Sequence, residues 1–179
     1  MKKQIVSILA VLLFVGCATT SMRLMTPPSD QYTLYARGLS TDQMVEEEAD
    51  EVAILNARNQ LAATLEARLK SLTKRAREQV GIGKDAELNS QYSIAIKQTV
   101  DQALNFSSPH AIAETKWVKK LNAYRAEVIY KVQIGPAKEQ MMENIKQRKK
   151  LYERFRTGEL FKELEKEIDK ERANKEGDQ

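Results

Sequence analysis

Tyr124-Arg125-Ala126-Glu127-Val128-Ile129-Tyr130-Lys131-Val132-Gln133-Ile134 is the clearest strand in the chain. Tyr124, Ala126, Val128, Tyr130, Val132 and Ile134 alternate with Arg125, Glu127, Lys131 and Gln133. A period of two puts the first set on one face of a sheet, and that face is apolar over its whole length. Upstream, Ala111, Ala113, Thr115 and Trp117 alternate with Ile112, Glu114, Lys116 and Val118, and a turn falls near 120–122, so the two runs read as a hairpin. Trp117 reads as a core anchor, because sheet faces bury their aromatics; the alternative is an exposed ring that stacks on a ligand. Downstream, Gly135-Pro136 ends the strand and opens a helix, with Pro suited to a first turn. Met141, Ile145, Tyr152 and Phe155 give that helix an apolar stripe. Thr157-Gly158 bends or breaks it, and Leu160, Phe161, Leu164 and Ile168 continue the stripe.

Before the hairpin the pattern is helical. Ser40 and Gln43 have the spacing of a capping box and start a long helix. Asp42, Glu46, Glu47, Glu48, Asp50 and Glu51 crowd its early turns, and Arg68, Lys70, Lys74, Arg75 and Arg77 its late ones, the distribution a helix dipole favours. Ile54, Leu61, Leu65, Leu72 and Ala76 recur at helical spacing, while Ala49, Ala53 and Ala57 form a strip smooth enough to approach a sheet closely. Gly81 and Gly83 end this helix, because Gly tolerates a left-handed cap. A second helix spans 85–104, with Leu88, Tyr92, Ala95, Thr99 and Ala103 on one stripe and Ile96 and Val100 beside it; Asn105 to Pro109 breaks it. Ahead of the long helix, residues 32–39 read as a short strand, with Gly38 a bulge or a point of close packing.

The N-terminus reads as a secretory targeting signal. Lys2-Lys3 precede the apolar run from Ile5 to Val15, and the run is too short for a spanning helix, which needs about 20 residues. Phe14-Val15-Gly16-Cys17 resembles a bacterial lipobox, with Phe14 where leucine is commonest. Residues 1–16 are expected to be removed as a signal peptide, leaving Cys17, the only cysteine, to carry fatty acyl chains. One chain anchors only marginally, whereas two or three hold a protein on a bilayer. Ala18 follows, where many inner-membrane lipoproteins carry Asp, which points to the outer membrane. Residues 17–31, with Pro27-Pro28 and many hydroxyls, read as a flexible tether, residues 32–168 as one domain, and 169–179 as a polar tail that frays.

Composition excludes several functions. The chain has 29 basic and 25 acidic residues, and loss of Lys2 and Lys3 brings the formal charge from +4 to +2. Charges of both signs are interspersed, without the basic stripe that tracks nucleic acid. The single cysteine leaves no internal disulfide. There is no Gly-x-Ser-x-Gly elbow, and His110, the only histidine, lacks partners for zinc. Gly81-Ile82-Gly83-Lys84 lacks the other residues of a phosphate loop and reads as a helix cap and turn. The acids of 46–51 read as a solvated helix start rather than a cation site. The carboxylates do not sit in apolar settings that would raise their pKa for hydrolysis of cell wall. No enzyme activity, cofactor or metal is expected.

Taken in order, these pieces resemble the small outer-membrane lipoproteins of the LPP-twenty type. The pieces are the lipobox at Cys17, the strand closing in Ala36-Arg37-Gly38, and the helix with Ala49, Ala53, Ala57 and Leu61. The hairpin from Trp117 to Tyr124 and the closing strings Leu151-Tyr152-Glu153-Arg154-Phe155 and Phe161-Lys162-Glu163-Leu164 complete them. The resemblance covers most of 32–168 and implies a non-enzymatic envelope lipoprotein; some members of that family are linked to motility and the flagellar outer-membrane apparatus. It brings no catalytic residues with it. The expected fold is α+β: a small three-stranded antiparallel sheet packed against a long helix, a second helix and C-terminal helices. The expected function is a lipid-anchored structural or adaptor component that presents a helical surface or a sheet edge to an envelope protein. The alternative is a carrier of a small ligand or lipid, held in a cavity of at least about 300 Å³ between sheet and helices.

Overall fold

The computed structural model describes residues 24–177, with side chains described to residue 173. The signal segment, Cys17 and the first part of the tether lie outside the described residues. The order is β1 (Thr33–Gln43), α1 (Glu46–Gln79), a 3-10 turn, α2 (Ala86–Asn105), β2 (Ser108–Ile112), β3 (Lys116–Val118), β4 (Ala123–Gln133), α3 (Ile134–Lys146), α4 (Lys149–Phe155) and α5 (Glu159–Gly177). The α+β class is as the alternation implied.

The expected strand 124–134 is the centre of the sheet. β4 pairs antiparallel with β1 on one side, from Thr33↔Gln133 to Gln43↔Tyr124, and with β2 and β3 on the other. The outer strand of the hairpin is split in two, so the sheet has four strands where three were expected. The split falls at 113–115, where Thr115 leaves the ladder and its hydroxyl bonds the Asp50 carboxylate of α1. β2 takes in Pro109, which is harmless on an edge strand where no ladder bond needs its missing N–H.

β1 continues four residues beyond the expected end, so Ser40 and Gln43 are strand residues and not a capping box. β4 offers partners as far as Tyr124, and those backbone bonds outcompete a local cap. α1 starts at Glu46 from Val45, without a side-chain cap. Gly38 is the close-packing point its position suggested. A Cβ there would stand 1.8 Å from the Ala53 carbonyl oxygen and 2.6 Å from the Ala57 nitrogen. Only hydrogen at Gly38 and methyl groups on α1 let helix and sheet approach so closely.

The buried stripe of α1 is Ala49, Ala53, Ala57, Leu61, Leu65, Leu69, Thr73 and Ala76, with Ile54 and Leu72 on its flanks. Steps of four residues outrun a 3.6-residue turn by about 40° each, so the stripe winds around the helix. Its alanine end lies on Ala126 and Val128 of the sheet. Its leucine end joins a larger core with α2, α3, α4 and α5. There Phe155 stacks on Phe161 at 4.6 Å, and Tyr92 packs beside Phe155 while its hydroxyl shares a 2.6 Å hydrogen bond with Thr73.

The helix ends follow the sequence closely in places. Gly81 takes φ +70°, the left-handed cap after α1, whereas Gly83 sits in the 3-10 turn without that conformation. Asp85 caps α2 by accepting from the Leu88 N–H. Pro136 lies in the first turn of α3, and the break at Thr157-Gly158 separates α4 from α5. A further break at 147–148 divides what read as one helix into α3 and α4. α5 also runs through the expected frayed tail to Gly177, held by the Lys138–Glu171 ion pair at 2.8 Å.

Trp117 is not a core anchor. It is 41% exposed, on a three-residue strand at the edge of the sheet that pairs with β4. Its ring meets Tyr124 edge-on at 5.1 Å.

Candidate functional site

Val128 and Ala126 point into the helix core, so alternation places Glu127, Ile129 and Lys131 on the opposite face of β4. On that outer face Ile129 is fully buried and Glu127 nearly so. Arg37 and Glu127 sit diagonally across the β1–β4 ladder, within reach of long side chains. The Arg37 Nε lies 2.7 Å from the Glu127 Oε1, and Arg125 approaches the other oxygen at 3.8 Å. The Leu24 N–H donates to the same Oε1 at 2.7 Å. The carboxylate is therefore enclosed by two guanidiniums and one amide. His110, exposed on the neighbouring strand, contributes only an edge-on contact with Tyr35 at 5.0 Å.

Leu24 belongs to the second half of the expected flexible tether, and that half is laid along the sheet. Asp30 accepts from the Tyr32 and Thr33 N–H groups, both at 2.7 Å. These bonds, the one to Thr33 first, hold its carboxyl below the ordinary carboxylate range. Ser29 meets the backbone of Tyr35, accepting its N–H at 3.0 Å. Leu24 reaches Glu127, the residue opposite Leu39. Read backwards from Asp30, the lead-in thus passes Thr33, then Tyr35, then the level of Leu39, antiparallel to β1.

These bonds bear on the sheet edges. On the free edge of β1, Thr33 is engaged by Asp30, Tyr35 by Ser29, and the Leu39 carbonyl accepts from Asn56 at 2.8 Å. The opposite edge is divided between β2 and β3 and carries Pro109 and a register shift. Both edges therefore carry devices that discourage strand addition. The helical side offers a different surface. A groove of about 330 Å³ runs between the end of α2 and the start of α3, lined by Gln102, Ala103, Phe106, Val132, Pro136 and Gln140. Phe106, just past the end of α2, is 84% exposed. By contrast, the β4 face beneath α1 is filled: Ala126, Val128 and Val132 are all buried.

Among the described residues no group of three or more His, Cys, Asp or Glu side chains is placed to hold a metal ion, and no helix is long and apolar enough to cross a membrane. Cys17, the lipid-attachment residue of the sequence reading, lies outside the described residues. No family model, curated protein or solved structure matches this chain.

Sequence reasoning missed the Arg37–Glu127 pair and the docked lead-in. Glu127 and Arg37 are 90 residues apart, and nothing local marks them as partners. Ser29-Asp30 did carry a signal, since Ser and Asp ahead of a strand favour side-chain turns onto the backbone that follows.

Proposed function

We propose that the chain is a non-enzymatic lipoprotein of the bacterial envelope, anchored through acyl chains on Cys17. In this reading it is a structural or adaptor component at the periplasmic side of the outer membrane, similar to the LPP-twenty type. The observation that carries it is the order Lys2-Lys3, apolar run, Val15-Gly16-Cys17, followed by a polar lead-in. The docking of Leu24, Ser29 and Asp30 on the sheet supports it, since it leaves a short connection between lipid and domain. The blocked sheet edges favour a helical docking surface over strand addition for the envelope partner, and the groove beside Phe106 is the apolar candidate. Replacement of Cys17 by Ser is expected to move the protein out of the membrane fraction. Crosslinking in intact cells is expected to recover an envelope protein, and Phe106→Glu to lose it. Unchanged fractionation of Cys17→Ser would count against the anchor, and no envelope neighbour against the adaptor role.

The carrier reading keeps one supporting observation, the volume of that same groove. The space between sheet and helices, where a cargo was first expected, is occupied by side chains. Saturable binding of an apolar fluorescent probe that Phe106→Ser abolishes would favour the carrier over the adaptor.

A further inference from the structure

We propose that the β3–β4 turn is a second membrane contact, a hairpin tip that seats Trp117 and Leu121 in the interfacial layer of a phospholipid bilayer while Lys116, Lys119 and Lys120 meet its phosphates. The proposal rests on the lipid-anchor reading above and adds an orientation to it: the domain stands on its membrane by this end of the sheet.

The tip is a defined turn. The Leu121 N–H donates to the Val118 carbonyl at 2.9 Å and the Asn122 N–H to the Lys119 carbonyl at 3.2 Å. Asn122 takes φ +51°, a left-handed conformation that Asn tolerates better than most residues. Trp117 and Leu121, two large apolar side chains, are 41% and 49% exposed within five residues of one another. Three exposed lysines stand among them. From Glu114 to Arg125 there are four cations against one carboxylate, and that carboxylate pairs with Lys116 at 3.2 Å. An amphipathic aromatic ring among flexible cationic side chains suits the headgroup layer, where one end of each group is apolar and the other wet.

The lead-in supplies the geometry. Upstream of Asp30 the chain runs along β1 from Thr33 toward Leu39, so at Leu24 it heads for the end of the sheet where Gln43 pairs with Tyr124. The β3–β4 turn projects from that same end. Cys17 stands seven positions before Leu24, a reach of about 25 Å when extended. Asn122 stands five positions before Glu127, about 17 Å along the strand. The acyl chains and the tip can therefore meet one bilayer surface together. The acids Glu46, Glu47 and Glu48 at the start of α1 also lie toward this end, in the helix layer. Their repulsion from phosphates makes the tip a contact for a domain already tethered, and not an anchor by itself.

Trp117 is the only tryptophan, so its fluorescence reports on the tip alone. The full chain, extracted from membranes and reconstituted into phosphatidylethanolamine–phosphatidylglycerol vesicles, is first floated on a density gradient. In floated vesicles Trp117 emission is expected to shift to shorter wavelength, to be quenched by brominated acyl chains, and to be shielded from aqueous acrylamide. Lys119→Gln with Lys120→Gln, and separately Leu121→Ser, alter only exposed turn positions and are expected to reduce the shift and the bromine quenching. A chain that floats with Trp117 open to acrylamide overturns the tip and leaves the anchor standing. If Cys17→Ser still floats with Trp117 quenched by bromine, the anchor falls and the tip stands. A chain that does not float overturns both. Shielding that appears only when an envelope protein is added, without bromine quenching, overturns the bilayer in favour of a protein partner.

Discussion

Two residues fix what packs on the sheet, one for each face. Gly38 admits no side chain, because its missing Cβ would enter the backbone of α1 at Ala53. Gly38→Ala must push the helix off the sheet, and is expected to cost about 3 kcal/mol, read as a lower urea midpoint. Glu127 is the other. With its side chain 5% exposed and that of Arg37 17% exposed, removal of the carboxylate leaves a guanidinium largely buried without its partner. Glu127→Ala is expected to lose about 3 kcal/mol. It should also free the Leu24 amide, making residues 24–31 a preferred site of limited proteolysis under conditions where the rest of the domain stays folded. Gly38 was legible in the sequence as a Gly inside an alternating run. The Arg37–Glu127 pair was not, because the ladder alone brings the two together.

At the scale of elements, the apolar core is supplemented by a specific polar joint between α2 and α3. Asn144, buried on α3, donates to the Thr99 hydroxyl at 2.9 Å and the Gln102 side-chain oxygen at 3.0 Å, both on α2. Asn144→Ala is expected to lose about 1 to 2 kcal/mol and to speed amide exchange at the start of α4, whose preceding residue Arg148 bonds the Asn144 carbonyl. The lead-in is a pH-dependent joint. The Asp30 carboxyl is depressed by its bonds to Thr33 and Tyr32, so its stabilising contribution is present above the ordinary carboxylate range near 3.8 and disappears as pH falls through the lowered value. The Tyr32 and Thr33 amides should lose their protection against exchange, relative to the intrinsic rate, in acid ahead of the α1 amides, and Asp30→Asn should flatten that dependence. Helix starts at Asp85 and stops at Gly81 were readable from local chemistry. The start of α1 was not, because pairing with β4 overrode the local cap at Ser40 and Gln43. Trp117 misled for a related reason: alternation gives the face of a residue but not whether its strand is a short one at the edge of the sheet.

For the molecule as a whole, the winding stripe of α1 explains how one helix serves two partners, a sheet at its alanine end and a helical core at its leucine end. The alternation of 124–134 and the helical stripes were enough to give this α+β plan from sequence. The side on which the N-terminal lead-in lies was not readable, since it depends on hydrogen bonds that Leu24, Ser29 and Asp30 make to a strand and its neighbour. That placement orients residues 24–31, the described half of the expected tether. The account depends above all on acylation at the sole thiol. Intact-mass and N-terminal peptide spectrometry of the protein purified from membranes tests it most directly. The account predicts a mature chain of 163 residues beginning at a Cys17 that carries diacylglycerol. A chain still beginning at Met1, with Cys17 a free thiol, would contradict it.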